Sequence, residues 1–137
     1  MQIRFAFLCD YAQESGNGKI SALGLGIDSF HVADLNQPVP PFCLVVNIEA
    51  NRSEAGQKHM EIHLMDSDGN SITEPLHGEI SLQGPPSGMK IKAGMVIYYN
   101  GVIFPEYGAY LLSIVVDGHE LTSLPIYVAP APMRNPQ

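Results

Sequence analysis

The chain has no tryptophan, only two cysteines (Cys9 and Cys43), and few charged residues: 15% of its 137 positions. Each shortage excludes something. Two cysteines, both set in apolar surroundings, cannot make the multi-bridge framework of a small secreted scaffold. They read as free thiols, which points to a reducing, cytoplasmic home. Without tryptophan, a carbohydrate- or small-ligand-binding role would have to rest on the six tyrosines. Charged residues usually make up about a quarter of a soluble domain, so this surface holds many neutral positions of the kind that meet a partner.

Basic residues are also scarce, 7 against 14 acids, for a formal net charge of −7. They are scattered as Arg4, Lys19, Arg52, Lys58, Lys90, Lys92 and Arg134, and only Lys90 and Lys92 lie close together. Phosphate backbones are held by clustered cations, so nucleic acid is not an expected partner. Arg4 followed by Phe5–Cys9 begins like a secretory signal, but Asp10 ends the apolar run before it reaches the ~7–15 residues required. No stretch approaches the ~20 apolar residues of a membrane-crossing helix, and no segment repeats with a 3.6-residue period. No membrane association is expected.

What remains is a set of short β patterns punctuated by Gly and Pro. Gly108–Val116 is the most regular. Tyr110, Leu112, Ile114 and Val116 fill one face, and Leu111 and Val115 make the other face apolar too. That pattern predicts a central strand covered on both sides. Asp117-Gly118 supplies the positive-φ positions of a tight turn, and Leu121–Val128 returns as its partner.

Upstream, Ile3–Asp10 is a strand and Tyr11–Gly18 a polar turn region closing on Asn17-Gly18. Lys19–Phe30 is a strand in which Gly24 and Gly26 suggest a bulge or a close backbone approach. Phe42–Ala50 is strand, and in Lys58–Met65 the residues Met60, Ile62 and Leu64 face in while His59, Glu61 and His63 face out. Asp66–Asn70 is a turn, Ile72–Pro75 and Gly78–Leu82 are short strands, and Gly84–Gly88 is a loop. Met89–Phe104 carries more strand, broken at Asn100-Gly101. The expected fold is all-β: a single antiparallel β-sandwich, immunoglobulin-like or jelly-roll-like, of about eight or nine strands over residues 1–128. A Pro-rich tail, 129–137, follows.

Three runs, FAFLCDYAQESGNGKISALGLGID, VPPFCLVVNIEA with HMEIHLMDSDG, and FPEYGAYLLSIVVDG with LPIYV, resemble a family of small bacterial proteins of unassigned function. The resemblance spans about Phe5 to Val128. It implies a compact bacterial β-sandwich and carries no catalytic or binding residues with it.

The motifs of common chemistries are missing. Gly18-Lys19 is followed by Ile20, where a phosphate-binding loop needs Ser or Thr. Asp66–Asn70 has Gly at the fourth rather than the sixth position of a calcium loop. His119-Glu120 meets Ser123 where a zincin needs its second His. No catalytic residue is therefore assigned, and no cofactor. The metal candidates are His59, Glu61 and His63. Neighbours two apart on a strand share a face, but His59 and His63 stand ~13 Å apart, and zinc needs three or four ligands.

The leading functional expectation is a non-enzymatic protein-interaction or structural module, acting as a homo-oligomer or on another protein. Its alternatives are a metal-binding protein or metal-dependent enzyme using the His59/Glu61/His63 face, and a carbohydrate- or small-ligand-binding sandwich. Val96, Tyr98 and Tyr99 are the interface candidates. Both faces of Met95–Phe104 are apolar, and a small domain without a helix has little of its own to cover the second.

Overall fold

Asp117 and Gly118 adopt φ of 49° and 82°, the left-handed turn that their sequence predicts, and fold the last two strands against each other. In the computed structural model, which describes residues 1–15, 19–84 and 88–132, ten strands are present. They are β1 (Gln2–Cys9), β2 (Tyr11–Glu14), β3 (Ile20–Leu23), β4 (Ser29–Val32), β5 (Phe42–Ala50), β6 (Gly56–Asp66), β7 (Leu76–Leu82), β8 (Ile91–Tyr99), β9 (Gly108–Val116) and β10 (His119–Pro130). A single 3₁₀ turn, Arg52–Glu54, links β5 to β6.

The strands form three sheets: β1-β5-β8, β4-β10-β9-β6-β7, and the two-stranded β2-β3. The inner faces of the first two share one core. Phe42, Leu44, Val46 and Ile48 of β5 meet Ile62 and Leu64 of β6, Leu112 and Ile114 of β9, and Ile126 and Val128 of β10. Alternation along each strand explains this: every second side chain turns the same way and removes its apolar surface from water. Phe30, Phe42, Phe104, Tyr99 and Tyr110 make a chain of ring contacts at one end, with centroids 4.8–5.8 Å apart. The edge strand β1 also lies beside β10, and the two sheets' edge strands β7 and β8 lie side by side.

The all-β class stands, but several details of the expected sandwich do not. The sheets are not wholly antiparallel, because β4 runs parallel to β10. Nothing obliges a strand that reaches the edge from a distant part of the chain to run antiparallel, as a tight hairpin would. Tyr11–Glu14 is strand rather than turn, since it pairs with Ile20–Leu23 from Tyr11↔Leu23 to Glu14↔Ile20. The Asn17-Gly18 turn expected between them lies outside the described residues. Lys19–Phe30 is two short strands separated at Gly24–Asp28. Gly24 has φ 69°, and a Cβ there would run into the Asp10 carboxylate, so it marks a close approach. Ile72–Pro75 is not a strand; only Ser71 bridges, to Met65. The last strand continues past Val128, pairing Ala129 with His31 and Pro130 with Val32.

β9 is central in its sheet, but its outer side is covered only in part: Ser113 is buried and Val115 half-buried, while Leu111 is 40% exposed. The strand buried on both sides is β5. Its outer residues Cys43 and Val45 lie with Cys9 and Ala12 in a second, smaller cluster, packed against Ile20, Ala22 and Val96. The cover is the β2–β3 hairpin, laid over the outer face of β1-β5-β8 as a third layer.

Candidate metal centre on the outer face of the five-stranded sheet

The expected facing of β6 holds. Met60, Ile62 and Leu64 are buried, and His59, Glu61 and His63 point away from the core. Pairing with β7 then brings in residues that the β6 sequence does not contain. Glu61 stands opposite His77, and His59 opposite Glu79. The outer face of β7 is polar because its alternate residues Ile80 and Leu82 are the buried ones.

Three donor atoms converge. His59 Nε2 lies 3.3 Å from His77 Nδ1, His77 Nδ1 lies 3.3 Å from Glu61 Oε1, and His59 Nε2 lies 3.9 Å from that same oxygen. The His59 and His77 rings stack with centroids 5.4 Å apart. Two carboxylate contacts hold the set. Glu79 Oε1 is 3.3 Å from His59 Nδ1, fixing which nitrogen His59 turns toward the cluster. His63 Nε2 is 3.7 Å from Glu61 Oε2, leaving Oε1 for the other side. The backbone of His59 is pinned as well: its N–H donates to Asp117 Oδ1 at 2.9 Å, and the Asp117 N–H donates to its carbonyl at 2.8 Å. The β9–β10 turn therefore positions the first ligand.

His63 is thus not one of the three converging donors; His77 takes that place. The turn at Asp66–Asn70 hinted that the chain doubles back on β6, but the register that sets His77 opposite Glu61 comes from the structure. The turn itself is ordinary. Asp66 Oδ1 accepts the N–H groups of Asp68 and Asn70, both at 2.9 Å, so local backbone occupies that carboxylate oxygen.

The other candidates separate. Tyr99 is only 7% exposed and stacks on Phe42 in the core, with centroids 5.0 Å apart; burial pushes its hydroxyl up to about 12. Val96 packs beneath the hairpin. Tyr98 is exposed along its ring, but its hydroxyl is tied to the hairpin. The chain therefore covers much of the second face of β8 itself.

An all-β domain of three sheets, with histidines and carboxylates gathered on one outer face, is the class that this geometry defines. The chain belongs to the Family of unknown function (DUF6941), whose model matches residues 4–129. No curated protein matches it. Among solved structures, a β-glucosidase from Listeria innocua in complex with glucose is similar at TM-score 0.51 and 12% identity, covering 78% of this chain. The chain spans only 15% of that enzyme's length, so the likeness concerns the fold of one part. An alkylpurine DNA glycosylase from Pseudomonas fluorescens, bound to DNA containing an abasic site analog, matches at TM-score 0.39 and 12% identity over 74% of this chain and 28% of its own. That is too distant to carry an argument. Among the described residues, no helix is long and apolar enough to cross a membrane.

Proposed function

We propose that this protein is a metal-binding module that holds one divalent transition-metal ion through His59 Nε2, Glu61 Oε1 and His77 Nδ1. The observation that carries the reading is the donor spacing. Zinc bonds of about 2.0–2.2 Å at tetrahedral angles put neighbouring ligand atoms about 3.4 Å apart. The three donors stand 3.3, 3.3 and 3.9 Å from one another, so an ion fits among them with little movement of the side chains. Two imidazoles and a carboxylate suit zinc, nickel or copper better than calcium or magnesium.

His59 and His77 are 46% and 54% exposed, so water completes the coordination shell. Such an ion sits on an open sheet face rather than in a cleft that would exclude water from a reaction. Binding rather than catalysis is the reading this favours.

The experiment is zinc titration by calorimetry, with elemental analysis and melting curves before and after chelation. One zinc per chain is expected. His77→Ala should abolish it and His63→Ala should retain most of it. The exposed position of His77 leaves the fold intact in the variant, which circular dichroism checks. A wild-type chain that takes up no zinc, nickel or copper overturns the reading.

A second reading, an interaction module acting as a homo-oligomer, rests on a different part of the same face. Leu111 and Tyr127 are 40% and 56% exposed. They are diagonal neighbours on β9 and β10, since Leu111 pairs with Pro125 and Tyr127 with Ala109. Light scattering should report a dimer or larger that Leu111→Glu converts to monomer. A wild-type monomer at micromolar concentration removes this reading and leaves the metal reading untouched.

A further inference from the structure

Cys9 ends β1 and Cys43 stands directly opposite it on β5, in a register that continues without a break through Leu8↔Leu44 and Phe7↔Val45. Both are free thiols, exposed by 0% and 3%, and both belong to the small cluster under the β2–β3 hairpin. Directly opposed residues of an antiparallel ladder have Cα atoms about 4.5 or 5.5 Å apart. A disulfide accepts about 4.4–6.8 Å. Opposed side chains also leave the sheet on the same side, so the two sulfurs share one face of the ladder.

We propose that Cys9 and Cys43 form a dithiol site that hydrogen peroxide oxidises to an intramolecular cross-strand disulfide. One thiolate attacks a peroxide oxygen, breaking the O–O bond and forming a sulfenic acid, while the departing oxygen leaves as water after taking a proton. The second thiol then attacks that sulfur, forming the S–S bond and expelling the sulfenic oxygen as a second water. Two thiols and one peroxide give one disulfide and two waters, with two electrons moved from sulfur to oxygen.

The site has its own gate and readout. Burial first, then the neighbouring Cys43 thiol and the Asp10 carboxylate, push the Cys9 thiol up, so Cys9 rests protonated and its reaction quickens as pH rises. Peroxide reaches it when the hairpin lifts, since Ala12 of β2 is buried in the same cluster. The Cys9 S–H also donates to the Tyr11 carbonyl at 3.5 Å. A disulfide has no S–H, so oxidation removes that tie between β1 and the first residue of the hairpin.

The test treats the native full chain with hydrogen peroxide, blocks remaining thiols with an alkylating reagent in denaturant, and maps tryptic peptides. Cys9 falls in peptide 5–19 and Cys43 in peptide 20–52, and neither contains methionine, so added oxygen on them reports cysteine alone. The expected product is the two peptides joined, two hydrogens lighter than their sum and separated by reductant, with faster hydrogen exchange at Tyr11–Glu14 and Ile20–Leu23. Cys43→Ser should give no joined product and instead an oxidised or glutathione-trappable Cys9. Two fully alkylated cysteines after peroxide, or sulfinic and sulfonic acids without the joined product, overturn the proposal. A joined product with unchanged exchange in the hairpin overturns the link to hairpin release.

Discussion

The hydroxyl of Tyr98 on β8 donates a 2.7 Å hydrogen bond to the carbonyl of Ala12 on β2, across 86 positions of sequence. The ring is 60% exposed, yet its polar end does structural work: it pins the hairpin over the outer face of β5 and β8. Tyr98→Phe removes the bond and keeps the ring. Hydrogen exchange at Tyr11–Glu14 and Ile20–Leu23 should quicken several-fold, with the global unfolding midpoint little changed. Equal exchange in both proteins would mean that the hairpin is held by packing alone.

Packing does hold it at another point. Gly94 lies in the interior of β8, where a Cβ would sit 3.3 Å from Ile20 Cδ1 and 3.1 Å from Asn47 Nδ2. The hairpin rests where this strand has no side chain. Gly94→Val should therefore push Ile20 off its seat and cost about 1–3 kcal/mol, the range of forced overpacking. Chemical denaturation measures this, and a neutral or stabilising result would show that Ile20 relocates freely.

Tyr99, next in the chain, has the opposite fate. With its hydroxyl pushed up to about 12 by burial, the folded protein keeps its proton where the unfolded chain, near 10, has lost it. The contribution is present below pH 10 and is lost as pH rises through about 12, because the unfolded state then binds fewer protons. Stability should fall across that interval, and Tyr99→Phe should flatten the fall. Absorbance titration should show a tyrosine ionising at about 12 in the wild type that is missing in the variant.

Tyr110 joins the aromatic chain through an edge contact with Phe104 at 4.8 Å. Its hydroxyl donates to the Glu106 carbonyl at 2.7 Å, tying down the turn into β9. Tyr110→Ala should cost about 3–5 kcal/mol, as aromatic truncation in a core does. Glu61→Ala, on the outer face and without metal, should stay within about 0.5 kcal/mol. Denaturant melts that rank the two the other way would mean that the faces of β6 and β9 are misassigned.

The elements that were legible in the sequence are those whose information is local. The turn at Asp117-Gly118, the inward set Met60, Ile62 and Leu64, and the outward set His59, Glu61 and His63 follow from φ preference and period-two alternation alone. The hairpin β2–β3 was not legible. Tyr11–Glu14 is polar and short, and its strand state comes from pairing with Ile20–Leu23 and from lying on Val45 and Val96.

The candidate site divides the same way. The sequence by itself determined that His59 and Glu61 share a face, because two residues of strand bring a side chain back to the same side. It also determined that β5 is rich in strand-forming apolar residues and that Cys9 and Cys43 sit among apolar neighbours. Only the tertiary structure decided that His77 completes the donor set, that Cys9 stands opposite Cys43, and that β5 is covered on both faces more fully than β9. Register between strands distant in the chain is fixed by the summed burial of whole faces. No single residue carries that information, so it exists only once the sheets have met.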